Sequence, residues 1–198
     1  MSLMAAVWKA LTAREEHVRE ERVWWVTDLC QCREKRRILL ANPELERQLS
    51  WTYPQLIGTL MHEGAAKRLH GLAFEGWQIQ EGYYDVRQVG KWFVGGRPDL
   101  VAWSLSGRTA IIELKYSKTL KNKPLQAHRL QVQLYMWLFN ASEGYLLYIT
   151  PEGEKWVTVE DRLTDDQVLQ LIEADLTPMW ADECRNCNLR LWCAKARL

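Results

Sequence analysis

At 198 residues the chain is long enough for one domain with a full hydrophobic core, and its 47% apolar and 26% charged residues exclude a disordered or fibrous protein. The net charge of +1 excludes a global basic field, so a nucleic-acid partner would have to be met by a local patch. No uncharged apolar run is long enough to span a bilayer, and the N-terminus lacks the apolar stretch of a signal peptide, so a cytoplasmic protein with no membrane contact is expected.

Residues 3–22 read as a charged helix, followed by the short apolar stretch Val23-Trp24-Trp25-Val26. Thr27 or Asp28 is expected to cap a helix running to about Leu40, ended by Asn42-Pro43. Tyr53-Pro54 opens another helix, with Leu56, Leu60, Ala65 and Ala66 on its apolar side, lasting to about Leu69. Trp77 to Val86 alternates loosely as a strand, Lys91 to Val94 reads as a second, and Gly95-Gly96 as a turn. A β-hairpin follows: Leu100 to Trp103, a Ser106-Gly107 turn, then Ala110-Ile111-Ile112 running into Glu113-Leu114-Lys115. The stretch from Lys115 to Arg129 carries Lys115, Lys118, Lys121, Lys123 and Arg129 with no acid among them.

From Pro124 to about Asn140 the pattern is helical, with Leu130, Leu134, Trp137 and Leu138 on one side. Tyr145 to Ile149, a Pro151-Glu152-Gly153 turn and Trp156 to Val159 make a second hairpin. Thr164 with Gln167 resembles a capping box, opening a last helix to about Leu176 before a cysteine-rich tail. With no internal repeat or linker, residues 1–198 form a single α/β or α+β domain around a mostly antiparallel sheet. The eleven tryptophans suit core platforms or surfaces on which bases stack, and core packing is expected for most.

The hairpin carries the chemistry. Residues two apart on a strand share a face, so Glu113 and Lys115 point the same way while Leu114 points into the core. Asp99 begins the partner strand, where pairing across the turn brings it beside Glu113. Two carboxylates and a lysine on a rigid sheet suit a divalent cation and a group that handles water, the chemistry of phosphodiester hydrolysis. The plainer alternative is a solvated strand end with an ordinary Glu/Lys pair. Gln131 and Tyr135, four apart, project from one helix face toward such a site or pack. His62 joins only if its helix packs over the hairpin.

The five cysteines cluster at two places, which argues for metal ligation over disulfides. Cys184, Cys187 and Cys193 leave one coordination position to fill, and Cys30 or Cys32 can fill it. On one helix the two face roughly 200° apart, so only one can reach the centre. Cys32 shares a stripe with Leu29 and Arg36, whereas Cys30 lies with Glu34 and Arg37, and Cys32 is preferred. The centre is zinc or iron–sulfur. One cysteine stands about 150 residues from the other three, unlike the paired knuckles of zinc ribbons, and either metal would clip the chain ends together.

In chain order, His62, Gly95-Gly96-Arg97-Pro98-Asp99, Glu113-Leu114-Lys115, Gln131 with Tyr135, an early cysteine and Cys184, Cys187 and Cys193 resemble the RecB-like nucleases of the PD-(D/E)xK superfamily. The set is more closely similar to the CRISPR-associated RecB-like exonuclease family with an iron–sulfur cluster, over about residues 27–193. Thr27-Asp28-Leu29 also resembles that family's lead-in, but the proline and arginine usual after the early cysteine are here Arg33 and Glu34, which leaves Cys30 against Cys32 open.

The resemblance implies a restriction-endonuclease-like α/β core, a mixed sheet flanked by helices. Segments 27–40 and 181–198 would be joined by a 4Fe–4S cluster on Cys32, Cys184, Cys187 and Cys193. It implies Mg²⁺ or Mn²⁺ held by His62, Asp99, Glu113 and the carbonyl of Leu114, with Lys115 catalytic and Gln131 and Tyr135 ordering the lysine and the DNA. In such a site Lys115 is most useful with its pKa lowered by burial beside the cation. The implied activity is a single-stranded DNA exonuclease, 5′→3′, that trims DNA for spacer acquisition, with the CRISPR integrase as partner and homo-oligomerisation open. The rivals are a RecB-like repair nuclease, the same core clipped by zinc, and a non-catalytic metal-clipped DNA-binding module.

Overall fold

The computed structural model describes residue 4 and residues 19–45, 53–121 and 124–196. The helix expected over residues 3–22 therefore lies mostly outside the described residues, and Arg19 to Arg22 are not helical. In chain order the elements are β1 (Val23–Trp25), α1 (Val26–Leu29), α2 (Arg33–Ala41), α3 (Tyr53–Leu69), β2 (Ala73–Phe74), β3 (Trp77–Glu81), β4 (Asp85–Val89) and β5 (Trp92–Gly96). Then come β6 (Leu100–Ser104), β7 (Thr109–Tyr116), α4 (Gln126–Leu138), β8 (Glu143–Thr150), β9 (Gly153–Val159) and α5 (Asp165–Glu173). Two single 3₁₀ turns, Cys184–Asn186 and Arg190–Trp192, carry the tail. Among the described residues no helix is long and apolar enough to cross a membrane.

The main sheet has six strands in the order β2-β3-β6-β7-β8-β9, and a smaller one runs β1-β5-β4. Every neighbouring pair in the main sheet is antiparallel except β7 with β8. A parallel pair needs a crossover, and α4 supplies it. This helix closes one face of the sheet: its Val132, Leu134, Met136 and Trp137 are buried in one cluster with Val101, Ile111 and Leu146. Burial of such side chains contributes about 1.5–3 kcal/mol each. On the other face α3 packs Ala66 against Leu100 and Leu114. The result is a mixed sheet flanked by helices.

The helix expected from Thr27 or Asp28 to about Leu40 is instead broken at Cys30–Cys32, and neither residue caps it: Trp25 precedes α1 and Cys32 precedes α2. Buried charge explains the break. Asp28 is fully buried, with Arg36 Nε 3.8 Å from its Oδ2, and Arg33 donates to the Asp28 and Gln31 carbonyls at 2.7 and 3.1 Å. Arg36 also lies 3.9 Å over the Trp24 ring. Carbonyls that would continue a helix are thus taken by an arginine side chain.

The strand expected over Trp77 to Val86 is likewise two strands in different sheets, divided at Gly82–Tyr84. Gly95-Gly96 is not a turn but the buried end of β5, with Gly95 paired on both sides and Gly96 paired with Asp85 of β4. Thr164 and Gln167 do form a capping box, although α5 ends at Glu173. Of the described tryptophans, Trp24 and Trp137 are buried in the core, Trp92 and Trp103 pack against it half-buried, and Trp156 and Trp192 are 57% and 49% exposed.

Candidate active site

The hairpin register sets the site. Leu100 pairs with Ile112, so the next position places Asp99 across from Glu113. The two are cross-linked through backbone: the Asp99 N–H donates to Glu113 Oε1 at 3.0 Å, and the Leu114 N–H donates to Asp99 Oδ2 at 2.7 Å. Lys115 Nζ donates to Glu113 Oε2 at 2.7 Å. His62 reaches over from α3, its Nδ1 3.3 Å from Asp99 Oδ1. The Leu114 side chain meanwhile packs with Leu100 and Ala66 under α3. Four polar side chains from three separate stretches therefore meet at one point.

Glycine makes the close approach possible. A Cβ on Gly82 would come 1.7 Å from the Pro98 carbonyl oxygen, while the Gly82 N–H donates to the Asp99 carbonyl at 3.0 Å. The β3–β4 connection thereby clamps the peptide that presents Asp99. A Cβ on Gly96 would come 2.8 Å from Tyr135 Cε1, so β5 lies directly against that ring.

Burial and the neighbouring Asp99 charge push the Glu113 carboxyl up to about 7, against the opposing pull of Lys115 and the Asp99 amide. Burial would also raise Asp99, but His62, Lys115 and the Leu114 amide outweigh it and hold its carboxyl below the usual range. Burial pulls Lys115 down, yet the Glu113 and Asp99 charges prevail and leave it raised. The lowering expected for Lys115 is therefore not found: two carboxylates within reach of one ammonium stabilise its charge.

On α4, Tyr135 is buried, and burial and the Glu113 and Asp99 charges push its pKa well above the phenol value, against the opposing pull of Gln131 one turn earlier. Both residues thus belong to this neighbourhood. Of the basic run, Lys115 is held inside it, Lys118, Lys121 and Arg129 are exposed, and Lys123 lies outside the described residues.

The cysteines divide. Cys32, Cys184, Cys187 and Cys193 line one cavity together with Ile38 and Leu189. Cys30 is packed against the main core, its thiol pushed up by burial and within range of the Lys115 and Glu113 charges. The two early cysteines lie in the α1–α2 connection and not on one helix, so the helical-wheel reasoning does not describe them. Among the described residues no group of three or more His, Cys, Asp or Glu side chains forms a cage for a single ion.

The sequence reading missed what joins the chain ends here. Glu183 accepts the Cys32 N–H at 2.5 Å on one carboxylate oxygen and the Met179 and Trp180 N–H groups at 3.0 and 3.3 Å on the other. Trp180 Nε1 donates to the Cys30 carbonyl at 2.8 Å, and Arg33 donates to the Leu171 carbonyl at 2.6 Å. An acid next to a cysteine in a tail has no periodicity to reveal it.

Residues 2–194 match the family model of the PD-(D/E)XK nuclease superfamily. The chain belongs to that superfamily. It is 30% identical over 192 residues, 93% of the chain and 94% of the relative, to the CRISPR-associated exonuclease Cas4 of Saccharolobus solfataricus, and it is a CRISPR-associated RecB-like nuclease. The solved structure of SSO0001 superimposes on this nuclease with a TM-score of 0.83 at 28% identity, covering 92% of this chain and 90% of that one. An alkaline exonuclease from Laribacter hongkongensis shares the fold, with a TM-score of 0.55 at 15% identity over 75% of this chain and 81% of its own. Nucleases of this superfamily use divalent metals.

Proposed function

We propose that this nuclease is a divalent-metal-dependent exodeoxyribonuclease that digests single-stranded DNA 5′→3′ and trims DNA for CRISPR spacer acquisition. The observation that carries the reading is the cross-linked pair of Asp99 and Glu113 with Lys115 on the same strand. His62, Asp99, Glu113 and the Leu114 carbonyl would hold the ion. The residues suit it, because a buried Glu113 carboxyl pushed toward neutrality by burial and by the Asp99 charge is relieved by a cation. When bound, Mg²⁺ or Mn²⁺ supplies charge neutralisation at the scissile phosphate and a more acidic water.

The chain's own residues do the rest. The Leu114 amide and His62 fix the Asp99 carboxylate. Lys115 leaves Glu113 to place its ammonium against the attacking water. Tyr135, steadied by Gln131, orders the lysine's surroundings and the strand. Lys118, Lys121, Lys123 and Arg129 grip phosphates. DNA is thus the substrate, and the kinship with a CRISPR-associated exonuclease supports the integrase as partner.

The reading extends to a 4Fe–4S cluster on Cys32, Cys184, Cys187 and Cys193, within one domain spanning 1–198 whose segments 27–40 and 181–198 hold it. What supports it is that these four thiols line one cavity, together with Ile38, Leu189, Lys35, Glu183 and Arg190, and four thiolates are a donor set that such a cluster takes. Its part would be structural, fastening the termini.

End-labelled single-stranded DNA, incubated with anaerobically purified protein with and without Mn²⁺, tests the nuclease reading. Metal-dependent shortening from the 5′ end is expected. Cleavage that survives Glu113→Ala or Lys115→Ala would overturn it, and a colourless protein carrying zinc would overturn the cluster.

A further inference from the structure

One polar pair outside the recognised motifs lies at the edge of the site. In the parallel β7–β8 register Lys115 stands opposite Tyr148, so the two side chains leave the same face of the sheet, the one α4 covers. Tyr148 is fully buried. Its hydroxyl accepts the Leu125 N–H at 3.2 Å and lies 2.8 Å from Nδ1 of His128. The two rings stack, 5.7 Å between centroids and 29° between planes. The Lys115 and Arg129 charges reach that hydroxyl, although burial dominates and raises its pKa.

His128 lies in the first turn of α4, and Gln131 and Tyr135 follow it three and seven positions on, the spacing of one helical stripe. The Tyr135 end of that stripe senses Glu113 and Asp99, and the His128 end meets the neighbour of Lys115. These residues make one polar edge of α4 on the face of the sheet that carries Lys115, and His128 is its half-buried end.

We propose that His128 is a substrate-binding residue of this active site: with Tyr148 holding Nδ1, its ring donates from Nε2 to a phosphate oxygen of the DNA strand beside the bond that Lys115 serves. The proposal rests on the nuclease reading above. When Tyr148 gives its proton to Nδ1, the neutral imidazole carries its own proton on Nε2, the tautomer a phosphate oxygen requires. Tyr148 is a positioning residue that acts through His128.

A double-mutant cycle with two readouts tests this. Binding of a fluorescein-labelled single-stranded deoxyoligonucleotide is followed by anisotropy with Ca²⁺ in place of Mn²⁺, and KM and kcat are measured with Mn²⁺. His128→Ala is expected to weaken binding and raise KM about tenfold, the worth of one hydrogen bond to a charged group, with a smaller change in kcat. Tyr148→Phe should weaken binding by about threefold, and by nothing further once His128 is alanine. His128→Asn, which keeps a donor, should recover part of the loss.

Unchanged binding and KM in His128→Ala overturns the proposal, as does a Tyr148→Phe effect of equal size in both backgrounds. A lowered melting temperature with unchanged KM also overturns it, because the pair then only fastens α4 to β8. Should the wild type fail to cleave yet lose oligonucleotide binding on His128→Ala, the contact stands and the catalytic reading falls. A wild type that neither binds nor cleaves overturns both.

Discussion

The acid–lysine site and the cysteine junction are built by opposite means. Asp99, Glu113 and Lys115 sit on adjacent strands, and the ladder fixes their positions before any ligand arrives. The cysteines sit in a helix connection and in or just after two single 3₁₀ turns, where Glu183, Trp180 and Arg33 supply side chain-to-backbone bonds. A ladder tolerates the loss of one side chain. The junction rests on a small cluster of Leu39, Leu45 and Leu189 and on a few such bonds across loops, so the two regions should answer mutation differently: the first in activity, the second in stability.

The largest expected effect lies in the ladder-borne site. Glu113→Ala and Lys115→Ala should each lower cleavage by about 10²- to 10⁴-fold while oligonucleotide binding and the circular-dichroism spectrum stay near wild type, in keeping with loss of a group that positions or moves a proton. Collapse of the fold in either variant would erase the contrast. At the junction, Glu183→Ala strands three backbone N–H groups at once. Urea unfolding should show a loss of about 2–4 kcal/mol, with cleavage by the folded fraction retained. The paired test is Cys32→Ser against Cys30→Ser: the first should abolish the visible absorbance expected of an iron–sulfur centre, and the second should leave it.

pH sharpens the comparison further. Glu113 has its folded pKa raised from 4.5 to about 7, so the metal-free fold favours its protonated form. The stability this contributes is complete below pH 4.5 and lost as pH rises through about 7. Melting curves of metal-free protein should therefore fall across that window, the fall should shrink in Glu113→Gln, and Mn²⁺ should offset it in the wild type above pH 7. The smallest effect belongs to neither region: Thr164→Ala removes the hydroxyl of the α5 capping box and should cost about 1 kcal/mol in the same unfolding assay.

Local pattern determined a good deal. Strand alternation and a Ser106-Gly107 turn were enough to pair Leu100–Ser104 with Thr109–Tyr116, and a hairpin with a short turn has little freedom of register, so Asp99 across from Glu113 followed from neighbours in sequence. The Thr164–Gln167 cap and the apolar stripe of α4 were legible for the same reason: each is decided within a turn or two of chain. Tertiary structure alone decided the rest. Helical periodicity ran straight through Cys30–Cys32, and it is broken there by Arg33, reaching both backward to Asp28 and across to Leu171, and by Glu183, which takes the Cys32 N–H. Gly95-Gly96 looked like a turn until Tyr84 and Tyr135 occupied the space their side chains would need. The junction at Glu183 and the meeting of Tyr148 with Lys115 and His128 join residues far apart along the chain. Contacts of that kind leave no period in the sequence, because what selects them is the shape of the packed neighbour.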